Sequence, residues 1–161
     1  MTILKKTVLL PFAIVAAAIS AQVMAAPINH TIQLEAVVPT ADFYVLPSDT
    51  SWIGNTQTFN YNPTTETLTS LTKQFDVKHS AGSITGKLLA PAIIGSAGNN
   101  IPLTVKFNTK SLSTTDQEVV TKEQAATASV VNLEIIPVKP TDGYVPGSYT
   151  GNVQLSFDAV I

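Results

Sequence analysis

The side chains in this chain best suited to proton transfer are Asp116, Glu118 and Glu123, three carboxylates close together in sequence. Two of them brought within reach of one substrate atom would make a general acid–base pair. They stand in a run rich in Thr, Ser, Asp and Gln, which is the composition of a solvated turn. No nucleophile elbow, metal-ligand cluster or phosphate loop accompanies them. The only histidines, His30 and His79, are far apart and the chain has no cysteine, so no metal-ligand spacing exists. Trp52, Tyr44, Tyr61, Tyr144 and Tyr149 could stack on sugar rings; in a sheet protein the same residues fill a core or its rim. No catalytic residue, no metal site and no cofactor is expected.

The informative residues are instead those that shape backbone. In Ile28 to Val38 the even positions Ile28, Ile32, Leu34, Ala36 and Val38 are apolar, while Asn29, Thr31, Gln33 and Glu35 between them are polar. Period-two alternation is the mark of a strand that buries one face, and His30 falls on that same face. A strand with nothing folded before it can turn back on its own domain or complete another molecule's sheet. Ahead of it, Lys5 and Lys6 form a positive region, Val8 to Ile19 an apolar stretch, and Val23, Met24 and Ala25 a small-residue cleavage site. A membrane span would need about 20 apolar residues. The expected division is a signal peptide at 1–25, an N-terminal extension at 26–39 and a folded domain at 40–161.

Composition bounds what such a domain does. Its length suits one domain with one core. The formal charge is −2, and losing Lys5 and Lys6 with the leader takes it to −4 (−2 − 2). That balance argues against nucleic acid or an anionic membrane as partner, because both call for a clustered basic patch. A secreted domain without cysteine must hold together by packing and strand pairing alone.

Strands are expected over Asp42–Leu46, Ser51–Asn60, Lys73–His79, Ile84–Ala90, Ile101–Asn108, Gln117–Thr121, Ser129–Ile136 and Tyr149–Ile161. Pro47, Pro63, Gly82, the Gly95–Asn100 run, Ser111–Asp116 and Pro137–Gly147 separate them. Alternation is clearest where Phe75 and Val77 face away from Gln74, Asp76 and Lys78, and where Ile101, Leu103, Val105 and Phe107 share one side. Lys122 to Ala128 alone has helix-friendly composition, at a length that needs tertiary support. In the last expected strand Val153, Leu155 and Phe157 alternate with Asn152, Gln154, Ser156 and Asp158. The whole pattern predicts an all-β, immunoglobulin-like β-sandwich. A filament subunit, a secreted carbohydrate-binding sandwich and, more remotely, a hydrolase are the function classes it leaves open.

The donor-like run ending at Val38-Pro39, the missing cysteines, Leu112-Ser113-Thr114-Thr115 and the ending Gly147 to Phe157 together resemble the major pilins of the alternate, or alpha-fimbrial, chaperone-usher class, which includes the colonisation factor antigens. The resemblance implies an immunoglobulin-like domain that lacks one strand and is completed by donor-strand exchange. It implies that Ile28, Ile32, Leu34, Ala36 and Val38 are the inserted side chains, and that Val153, Leu155 and Phe157 line the acceptor groove and meet the chaperone. The implied partners are further copies of the chain, a periplasmic chaperone, an outer-membrane usher and a tip adhesin. The implied location is a surface fimbria reached through the periplasm, where the filament supports adhesion to host cells.

Overall fold

The structure, a computed structural model, describes residues 42–161. The expected leader and the expected donor positions Ile28, Ile32, Leu34, Ala36 and Val38, with His30, lie outside the described residues. In chain order the elements are β1 (Phe43–Pro47), β2 (Tyr61–Asn62), β3 (Thr67–Leu68), β4 (Leu71–His79), β5 (Ser83–Leu88), β6 (Ile93–Ser96), β7 (Asn99–Phe107), β8 (Lys110–Ser111), β9 (Gln117–Val120), α1 (Lys122–Ala125), β10 (Ser129–Pro137) and β11 (Leu155–Val160).

Alternating burial shows why the long strands form. Phe75, Val77 and His79 of β4, Ile101, Leu103, Val105 and Phe107 of β7, and Val131, Leu133 and Ile135 of β10 are buried, with more exposed residues between them. These strands build the first sheet, in the order β1-β4-β10-β7-β6 with β8 added to β7. The second sheet runs β11-β5-β9, and β2 and β3 form a separate small hairpin. Every pairing is antiparallel. The inner faces meet in one core that includes Val77, Ile84, Val105, Phe107, Val119 and Val120. This is the expected all-β sandwich.

Two expectations are corrected. Ser51–Asn60 is turn and irregular backbone, not strand. Its polar side chains bond locally: Asp49 accepts from the Ser51 N–H at 2.8 Å and the Ser51 hydroxyl at 2.9 Å, and Asn55 Nδ2 donates to the Ser51 carbonyl at 2.7 Å. Such bonds compete with a ladder. The Gly95–Asn100 run supplies the positive φ expected of it and turns β6 back on β7. Gly95 pairs with Asn100 and Ser96 with Asn99 around Ala97-Gly98, whose φ of 44° and 88° give the left-handed pair that suits a two-residue hairpin. The last strand starts at Leu155 instead of Tyr149. Thr150 first exchanges backbone bonds of 2.9 and 3.0 Å with Gly95 on the edge of the first sheet. The chain then crosses to the second sheet and pairs with β5.

The helix-friendly stretch forms only α1, held by a reciprocal cap in which Thr121 Oγ1 accepts the Gln124 N–H and Gln124 Oε1 accepts the Thr121 N–H, both at 3.4 Å. Asn108 Nδ2, just past the end of β7, donates to the Val119 carbonyl of β9 at 2.7 Å, so β9 lies against the β7 side of the first sheet. β11 is the edge of the second sheet away from β9, and β1 is the edge of the first sheet away from β7.

Candidate functional site

The flank between β1 and β11 is where the sandwich is least closed. Both are edge strands, and among the described residues no strand pairs with the outer side of either. Register defines which side chains face inward. Leu155 stands opposite Leu88, Phe157 opposite Gly86 and Ala159 opposite Ile84, so these three share the core-facing side of β11. Phe43 opposite His79 and Val45 opposite Val77 share the core-facing side of β1.

Burial falls off towards this flank in both sheets. On β5, Ile84 is fully buried and Leu88 nearly so; on β11, Leu155 and Phe157 are half-buried and Ala159 is exposed. On β4, Val77 and His79 are buried; on β1, Phe43 and Val45 are half-buried. Phe43 and Val45 of β1 and Leu155 and Phe157 of β11 still pack on the core cluster, as does Val153, which precedes β11 in irregular backbone. The result is a strip of half-buried apolar residues along two strands that, among the described residues, have no strand partner on their outer side. Such an edge is a template for another strand.

Phe157 anchors this strip. Its ring centroid lies 4.5 Å from that of Phe107 and 6.5 Å from that of Phe75, and Phe75 and Phe107 cross edge to face at 5.5 Å. Trp52 adds its edge to Phe75 at 6.1 Å, with Lys73 Nζ 5.2 Å from the Trp52 ring centre. Gly86 makes room for Phe157, since a Cβ there would stand 3.0 Å from two ring carbons. Gly82 does the same for the end of β11, where a Cβ would run into the Val160 carbonyl. At this end His79 Nδ1 lies 2.9 Å from the Ser83 carbonyl and its ring meets the Phe43 ring edge to face at 5.5 Å.

Val153, Leu155 and Phe157, the acceptor residues that the family resemblance implies, all pack on the core cluster. Phe43, Val45 and Gly86 were not expected at this site, and Gly82 was expected only as a break between strands. Phe43-Tyr44-Val45-Leu46 is apolar or aromatic throughout, so the sequence does not mark which residues face inward. The glycines owe their importance to cross-strand register, which leaves no local trace.

The other candidates find ordinary places. Asp116 pairs with Lys87 Nζ at 3.0 Å on the surface. Glu118 sits on β9 opposite Thr85. The backbone N–H of Glu123 and the Thr121 hydroxyl hold the Glu123 carboxyl below its usual range, the reverse of what a general acid needs. Tyr61 and Tyr144 cross at 89°, so the two do not form a flat platform, and Tyr149 donates to the Val145 carbonyl at 2.8 Å. Among the described residues no group of three or more His, Asp or Glu is placed to hold a metal ion, and no helix is long and apolar enough to cross a membrane.

Two antiparallel sheets packed on one core, with no metal or catalytic cluster among the described residues, define the class of protein as an all-β sandwich domain. The model of the CS1 type fimbrial major subunit family matches residues 28–158. The chain belongs to that family, whose members are structural subunits of fimbriae, which form by self-association into a filament at the cell surface. Among solved structures it is similar to the CooA pilin subunit from enterotoxigenic Escherichia coli, with a TM-score of 0.61 and 22% identity over 73% of this chain and 86% of that one. That likeness identifies the sandwich as immunoglobulin-like. A search of the curated proteins returned no match.

Proposed function

We propose that this chain is the repeating subunit of a chaperone-usher fimbria, joined to its neighbours by donor-strand exchange. Ile28, Ile32, Leu34, Ala36 and Val38 of one copy enter the open flank of the next, between β1 and β11, and cover Val153, Leu155 and Phe157. Residues 1–25 are a signal peptide removed on export, and 26–39 form the extension that leaves its own domain. Before assembly a periplasmic chaperone covers the same strip; an outer-membrane usher then exchanges it for the incoming extension. The finished filament supports adhesion to host cells and carries a separate tip adhesin.

The observation that carries this reading is the half-buried inner face of β11 beside the half-buried inner face of β1. Five apolar side chains at about 1.5–3 kcal/mol each contribute on the order of 10 kcal/mol of gross burial before ordering costs. Main-chain pairing along the edge adds to this and removes the exposed ladder. The contact is heterologous and does not close on itself, so its repetition generates a fibre.

Replacing Leu34 by Asp tests the reading in cells that assemble the fimbria. The variant places an unpaired carboxylate inside the neighbouring subunit, and loss of surface filaments is expected. Filaments of normal length would overturn the donor assignment.

A further inference from the structure

The outward face of β1 carries apolar residues of its own. Tyr44 and Leu46 point away from the core, and a cross-strand row runs from Leu46 through Asp76 to Val130. Tyr44 and Leu46 are half-buried, and Val130 is 57% exposed. With Ala128 and Ser129 they line an open depression of about 410 Å³. Asp76 at its floor is engaged by the Ser48 hydroxyl at 3.0 Å.

Chain length says what stands in front of this depression. Only six positions separate Val38, the last donor residue of the reading above, from Tyr44. Fully extended, they span at most about 21 Å. A compact domain of this size is roughly 35 Å across. The subunit that holds Val38 in its flank is therefore tethered against the β1 end of the donor subunit.

We propose that the depression around Tyr44, Leu46 and Val130 is a second contact between copies, docking against the subunit that accepts this chain's N-terminal strand. The inference rests on the donor-strand reading. It adds a surface that strand insertion alone does not require, one that fixes the angle between successive subunits instead of leaving them on a loose hinge.

The absence of cysteine makes the test direct. Filaments are prepared from chains carrying either Val130→Cys or Leu34→Cys, and thiol alkylation is timed against the same chain unfolded in guanidinium. Slowing by about tenfold or more at both positions is expected, as for sites exposed only on local opening. Since the subunit fold leaves Val130 exposed, protection there has to come from a neighbour. Ala128→Cys, in the same depression, is the second probe should Val130→Cys fail to assemble. Slowing at position 34 but not at 130 or 128 would overturn the second contact and leave strand exchange standing. No slowing at position 34 would remove the strand reading and, with the tether gone, this proposal too.

Discussion

Phe157 joins strand pairing to core packing: its ring touches Phe107 and Phe75 while lying over the backbone of Gly86 on the paired strand. Truncating it to alanine removes the half-buried ring that anchors the open strip. Phe157→Ala should lower stability by about 3 kcal/mol, read as a shift in the guanidinium midpoint. Gly86 acts through that ring. A methyl group placed 3.0 Å from two ring carbons forces the phenyl to move, and Gly86→Ala should cost about 1–2 kcal/mol. In a Phe157→Leu background, which withdraws the ring, the same glycine substitution should cost measurably less. Additive costs in that double-mutant cycle would show that Gly86 does not act by seating Phe157.

At the scale of elements, the donor segment has an internal control in its own alternation. Adding a charge at Gln33 or Thr31, on the polar face, should leave filaments intact, whereas a charge at Ile32 or Leu34 should abolish them, as electron microscopy of cells bearing each variant would show. Equal effects on both faces would contradict insertion of a single face. The link from β9 to β10 offers a second prediction. Thr121→Ala deletes the acceptor that caps α1 and should cost about 1 kcal/mol in denaturant unfolding, while Thr121→Ser should cost little. These elements differ in how far the sequence announced them. β4, β7 and β10 were legible because Phe75, Val77, Val105, Phe107 and their like recur at period two with one face buried. Ser51–Asn60 was not, because Asp49, Ser51 and Asn55 satisfy the backbone from side chains and outcompete a ladder. The start of β11 was hidden for another reason: Thr150 pairs with the first sheet before Leu155 joins the second, and period two continues through both segments without marking the switch. Of the candidate site, the apolar face of β11 could be read in one dimension. The flank beside it depends on how the two sheets stack, with β9 held against the β7 side by Asn108, a relation between residues far apart in sequence.

For the molecule as a whole, the absence of cysteine leaves packing and strand pairing to supply stability. On the proposed donor-strand reading, the apparent stability of the lone chain depends on what fills the flank. The direct measurement attaches a second copy of residues 26–38 behind Ile161 through a flexible linker of about five residues, supplying the strand intramolecularly at high effective concentration. The account predicts a monomer that no longer polymerises and unfolds at markedly higher guanidinium concentration than the chain ending at Ile161, with the gain abolished when the appended copy carries Leu34→Asp. An unmodified chain that is already monomeric, unfolds cooperatively and gains nothing from the added strand would contradict it.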